Sequence, residues 1–162
     1  MHIRPDIDNY FDKIRSAVSE RATCSRGRAA AVIVKNNHVI STGYVGAAAG
    51  LPSCDDVGHL LKQELLADGS VAEHCVRSVH AEVNAILTAA RYGIAIEGST
   101  MYCTMTPCMN CAMCIINSGI TEVIISKHYK YREQEDDSLT ALKRCGVKYK
   151  FLNKETQKYE SE

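Results

Sequence analysis

The chain has 162 residues, 46% of them hydrophobic and 23% charged, the balance of a soluble globular domain; at this length one core buries roughly 70% of the surface the unfolded chain exposes. Nineteen Lys and Arg cancel nineteen Asp and Glu, which argues against a broad basic face for polynucleotide or anionic membrane and leaves room only for a local basic pocket. No apolar run approaches the ~20 residues that span a bilayer, and Met1-His2-Ile3-Arg4-Pro5-Asp6 has no apolar stretch of the kind a secretory signal needs, so a cytoplasmic location is expected.

From Arg4 to about Ala22 the residues Ile7, Tyr10, Phe11, Ile14, Ala17 and Val18 recur at three- and four-residue steps. That period predicts an amphipathic helix with Pro5 in its first turn. Ala29 to Val34 and His38 to Tyr44 flank Lys35-Asn36-Asn37 and read as a β-hairpin. Val45 to about Ala72 shows no sustained period, and a connection of that length in a compact domain is functional or is ordered by something it carries. His80 to Arg91 reads as a helix apolar on most sides and therefore central. Met101 to Cys103 reads as a short strand, Cys108 to Asn117 as a helix stopped by Ser118-Gly119, and Glu122 to Ser126 as a buried strand. Asp136 to Cys145 is a charged helix, and Val147 to Leu152 a last strand. The alternation predicts one α/β domain over residues 1–152 with a mixed sheet, followed by a polar, frayed tail over 153–162.

Eight cysteines in a chain without an export signal point to metal-binding thiols rather than disulfides. Thr106-Pro107-Cys108-Met109-Asn110-Cys111 sets two sulfurs at a helix N-terminus, where backbone N–H groups and the helix dipole favour thiolate. His80-Ala81-Glu82 begins the other helix. One imidazole (His80) and two thiolates (Cys108, Cys111) supply three zinc ligands and leave the fourth tetrahedral position open, the mark of a catalytic site. Glu82 then falls where a carboxylate can carry protons between zinc-activated water and a substrate nitrogen. The bland alternatives are a core histidine, a first-turn acid and a dithiol switch. Cys114 continues the cysteine spacing but lies a turn further on and reads as a small core residue. Cys24, Cys54, His59 and Cys75, with His74 as substitute, form the preferred quartet for a second, structural zinc, which would order the unpatterned connection; scattered thiols and a surface histidine are the alternative.

These residues resemble the deoxycytidylate (dCMP) deaminase family of the cytidine deaminase-like superfamily. The resemblance rests on HAEVNAIL from His80 to Leu87, AAAVIVKNNHVISTGY from Ala29 to Tyr44 and TPCMNCAMCIINSGITEVII from Thr106 to Ile125, and extends from about Tyr10 to Leu152. Thr23-Cys24-Ser25-Arg26 and Cys54-Asp55-Asp56-Val57-Gly58-His59 resemble the branch with an additional zinc. The resemblance implies a three-layer α/β/α sandwich around a mixed five-stranded sheet. It also implies hydrolysis of dCMP to dUMP and ammonia, in a homo-oligomer (a hexamer) under dCTP and dTTP control with Mg2+ accompanying the triphosphate. Where many relatives have G-Y-N-G this chain has Gly43-Tyr44-Val45-Gly46, so Val45 cannot make the asparagine's polar contact.

For the substrate, the backbone at Ala81 and Cys108 could hold the base edge. Asn84 and Arg26 could receive sugar and phosphate, a guanidinium binding phosphate by two points. Tyr129 and Tyr131 could wall the pocket. Rival readings are a deaminase of another small cytosine or modified-cytosine nucleotide or nucleoside, and a non-catalytic zinc-ordered nucleotide-binding module.

Overall fold

The structure is a computed structural model describing residues 4–65, 69–128 and 132–153, with the side chains of 132–136 outside that set. The first helix, α1 (Ile7–Ser19), starts later than the periodicity suggests. Asp6 is its N-cap, its carboxylate accepting from the Asn9 amide at 2.9 Å, so Pro5 lies outside the first turn. Strands β1 (Ala30–Lys35) and β2 (His38–Tyr44) form the expected hairpin. Asn36 and Asn37 both take positive φ (51° and 60°), the backbone that a tight two-residue hairpin turn requires.

The expectation of an irregular connection from Val45 to Ala72 is corrected. It contains β3 (Gly46–Ala47), the one-turn α2 (Cys54–Val57) and β4 (Leu61–Leu65), which pairs antiparallel with β5 (Val71–Cys75). After it, β6 (Ser78–Val79) returns to pair with β3. Every residue of β4 is solvent-exposed and β5 buries only Ala72, so the hairpin carries too little one-sided burial to produce an alternating pattern. The Asp68-Gly69 pair is the turn signal that could have marked it.

The rest follows the expected order with shifted ends: α3 (Ala81–Arg91), β7 (Thr100–Met105), α4 (Met109–Asn117), β8 (Glu122–Lys127), α5 (Arg132–Arg144) and β9 (Lys148–Phe151). The five-stranded sheet has the order β2-β1-β7-β8-β9; β1 is antiparallel to β2 and β7, whereas β7, β8 and β9 are parallel. Side chains alternate across it. Ala31, Ile33, Met101, Cys103, Val123 and Ile125 meet Ala81, Ala85, Ala112, Ile115 and Leu142 from α3, α4 and α5. Val32, Val34, Tyr102 and Ile124 meet Phe11, Ile14 and Val18 of α1 on the other face. This is the three-layer α/β/α sandwich that the resemblance implied. No helix among the described residues is long and apolar enough to cross a membrane.

Two features bring α3 close to the sheet. A Cβ on Gly43 would stand 2.3 Å from Ala85 N and 2.4 Å from Ala81 O, so only glycine lets β2 approach this helix. Ser41 Oγ then donates to Ala85 O at 2.7 Å.

Candidate active site

The parallel strand β7 ends at Met105, and Thr106 and Pro107 are buried as the chain turns into α4. Ligand sites in sheets of this kind gather beyond the carboxyl ends of the strands, and here two helix N-termini converge. His80 is the N-cap of α3 and Cys108 the N-cap of α4, each in extended conformation, so each helix begins one residue after the ligand rather than at it. Neither side chain makes a capping hydrogen bond; the two meet each other instead.

His80 Nδ1 lies 3.5 Å from Cys108 Sγ and 3.4 Å from Cys111 Sγ. Zn–S and Zn–N bonds meeting at a tetrahedral angle put sulfur and nitrogen about 3.5 Å apart, so both sulfur–nitrogen edges have the length a zinc site needs, and all three atoms lie within 4.8 Å of one another. No other Cys, His, Asp or Glu among the described residues joins this group. Cys114 is half-buried and outside it. The arrangement can hold zinc with one corner open to solvent, since His80 is exposed at the mouth while Cys111 is buried at the base.

The three groups are electrostatically coupled. Cys108 is drawn down to about 4 by its hydrogen bond with Cys111, with His80 adding to the effect against burial. Cys111 is pushed up by the same pairing and by burial. His80 is raised to about 9 by its hydrogen bond to Cys108. A zinc ion would take the place of the proton these groups share. Glu82 is 6% exposed, and its Oε2 sits 3.5 Å from Cys111 Sγ. Burial raises its carboxyl above the ordinary range, with His80 opposing; such a group can take up a proton and release it again.

The expected substrate residues are placed less uniformly. Ala81 is buried directly behind His80. Asn84 donates its Nδ2 to Tyr44 O at 2.8 Å, tying α3 to the end of β2. Arg26 Nη2 donates to Glu73 O at 3.1 Å, toward the β4–β5 hairpin. Tyr129 and Tyr131 lie outside the described residues, as does the tail from 154 onward.

The preferred quartet for a second metal does come together: Cys24, Cys54, His59 and Cys75 have ligand atoms within 4.8 Å of one another. Cys54 and Cys75 sulfurs are 3.5 Å apart, and Cys24 Sγ is 3.8 Å from His59 Nδ1, near the edges of a tetrahedral site. Burial lifts the Cys54 thiol to about 11. Burial works the same way on Cys75, but hydrogen bonds from the Arg77 and Leu60 amides, with Cys54 and His59, together outweigh it and bring that thiol down to about 6. His74, the substitute, is not among these ligands; it pairs across from Lys62 with Nε2 3.4 Å from Glu64 Oε2.

Residues 5–127 match the family model described as the cytidine and deoxycytidylate deaminase zinc-binding region. The chain belongs to this family. Among curated members of this deaminase family it is 37% identical to the deoxycytidylate deaminase of Enterobacteria phage T4, over 88% of this chain and 90% of that one. It is 34% identical to the deoxycytidylate deaminase of Saccharomyces cerevisiae over 90% of this chain and 44% of that one. The chain thus spans only about half the length of the fungal and Bacillus relatives it matches, 43% to 60%. The dCMP deaminase of cyanophage S-TIM5, crystallised with dCMP and dUMP, superposes with a TM-score of 0.72 at 27% identity, covering 93% of this chain and all of that one.

Proposed function

We propose that this deaminase-family chain hydrolyses dCMP to dUMP and ammonia. The observation that carries the reading is the triad of His80, Cys108 and Cys111 at zinc-site spacing with the buried Glu82 carboxyl beside it. Zinc held by the triad lowers the pKa of water toward neutrality and so supplies a nucleophile at physiological pH. Glu82 takes the proton of the attacking water and passes it to N3 as the water oxygen bonds to C4. It then carries the second proton to the departing amine as the C4–N4 bond breaks, releasing ammonia. The backbone at Ala81 and Cys108 holds the base edge. Asn84, its amide N–H committed to Tyr44 O, has Oδ1 to accept from a sugar hydroxyl. Arg26 meets the phosphate by sharing or giving up its bond to Glu73 O.

The quartet Cys24, Cys54, His59 and Cys75 carries a second, structural zinc in this reading. We extend the proposal to a cytoplasmic homo-oligomer, a hexamer, of this single domain, with dCTP and dTTP as effectors and Mg2+ as the triphosphate's counter-ion. Sedimentation with and without dCTP–Mg2+ and dTTP–Mg2+ tests both assembly and response.

The deciding experiment is ammonia release from cytidine, CMP, dCMP, dCTP and 5-methyl-dCMP. The expected result is a preference for dCMP. Preference for cytidine would discard the phosphate contact of Arg26, and preference for CMP or 5-methyl-dCMP would transfer the reading to a ribonucleotide or modified substrate, which Val45 makes the nearest alternative.

A further inference from the structure

Between residues 47 and 80, only Cys54 and Ala72 are buried among the described residues. A segment with so little apolar burial has almost nothing to offset the entropy of ordering it. Its order must come from the cluster of Cys24, Cys54, His59 and Cys75 and from the hydrogen bonds around it. Arg28 forks onto both oxygens of Asp55, at 3.0 and 3.2 Å, beside Cys54. The Asp55 amide donates to Thr23 O at 3.2 Å, beside Cys24. Ser25 Oγ stands 3.4 Å from His59 Nε2, which leaves Nδ1 facing Cys24.

The cluster's last ligand is joined to the active site by Val76, Arg77, Ser78 and Val79 alone, and each of the four is tied. The Val76 amide donates to Leu60 O at 2.8 Å and Arg77 Nε to Gly58 O at 3.0 Å; Gly58 and Leu60 flank the ligand His59. Ser78 Oγ contacts the ligand Cys54 Sγ at 3.3 Å, and Ser78 pairs with Ala47. Val79 pairs with Gly46, and its carbonyl accepts from Asn84 at 3.4 Å. The next residue is His80. A chain restrained at every residue between two ligand sets has little slack to absorb a displacement of either.

We propose that the second cluster sets the metal affinity of the active site: a metal held by Cys24, Cys54, His59 and Cys75 fixes residues 76–79, and through them the His80 imidazole. This rests on the reading of the quartet as a metal site. With the second metal in place, the ordering of His80 is already accomplished when the catalytic metal arrives, so the two ions bind with positive coupling. Coupling between binding sites is reciprocal. Arg77 and Ser78 are positioning residues in this scheme; neither touches metal.

The test is zinc binding, read by competition with a chromophoric chelator on the full chain. Wild type is expected to hold two zinc ions per chain. Cys54→Ala is expected to hold one, with the remaining ion bound about 10-fold more weakly than the catalytic ion of the wild type. His80→Ala is expected to weaken the second-site ion by the same factor, and it reads the coupling without altering the quartet should Cys54→Ala fail to fold. Arg77→Ala combined with Ser78→Ala is expected to keep two ions and weaken the one in the active site. A wild-type chain with one ion removes the second-site reading and this inference with it. Two ions in the wild type, with the remaining affinity unchanged in His80→Ala and in any folded Cys54→Ala protein, leave that reading standing and overturn the coupling.

Discussion

Gly43 and Tyr102 show how single residues hold the site's scaffold. A methyl group on Gly43 would drive into the backbone of α3 at Ala85 N and Ala81 O, and backbone does not yield as a side chain does. Gly43→Ala should therefore destabilise the fold by about 1–3 kcal/mol and, by displacing the helix that carries Glu82, lower turnover beyond what the stability loss explains. Urea denaturation alongside steady-state ammonia release measures both. Tyr102 lies on the opposite face of the sheet and donates to Asp8 Oδ1 at 2.9 Å. Burial raises its phenol, and the Asp8 carboxylate adds to the rise. A folded-state pKa above the unfolded value gives stability that is complete below about pH 10 and is lost as pH climbs through the raised value. Ultraviolet difference titration of the chain's eight tyrosines should show a late component, absent from Tyr102→Phe.

At the scale of elements, α1 is fastened to the strands that feed the site. Arg15, 7% exposed, donates from Nε to Asp12 Oδ1 at 2.7 Å and from Nη1 to Thr104 Oγ1 at 2.9 Å. Asp12 also accepts from Ser126 on β8, and Thr104 accepts from the Ala30 amide at 2.9 Å. One polar network thus joins α1, β1, β7 and β8. Arg15→Ala, leaving Asp12 without its cation, should cost about 3 kcal/mol; Arg15→Met with Asp12→Leu should cost much less, a contrast that denaturant midpoints resolve. The long elements were legible in the sequence for two reasons: the periodicity of α1 reports burial on one face, as Phe11 and Ile14 show, and β1 is an unbroken apolar run because both of its faces are buried. The β4–β5 hairpin was not, because Leu61 and Leu65 are exposed and the pairing is local. The buried Arg15 was missed for a different reason: its charge places it on the solvent side of any helical pattern, and only Asp12 at i−3 hinted at a partner.

Taken whole, the molecule is a neutral α/β/α sandwich whose chemistry sits where β7 ends and two helices begin. His80, Cys108 and Cys111 could be grouped from the sequence because metal ligation demands particular atoms at particular spacings, and the structure brings these three side chains together, with Glu82 beside Cys111. The quartet of Cys24, Cys54, His59 and Cys75 was legible by residue type although its spacing is irregular, because few other ligands were available. The contacts proposed for Asn84 and Arg26 depend on where side chains point, which residue type does not fix: Asn84 turns its amide to Tyr44 O and Arg26 turns to Glu73 O. The proposed second metal predicts that chelation loosens residues 47–65 and 69–80, so that hydrogen exchange there accelerates while β1, β7 and β8, buried in the sheet core, stay protected.

The most direct test of the account is dCMP turnover by Glu82→Gln protein whose zinc content has been measured. Zinc content equal to the wild type, with ammonia release slowed by about 100-fold or more, is the predicted result. Unaltered turnover with zinc bound would contradict the assignment of Glu82 as the proton carrier and, with it, the reading of the site.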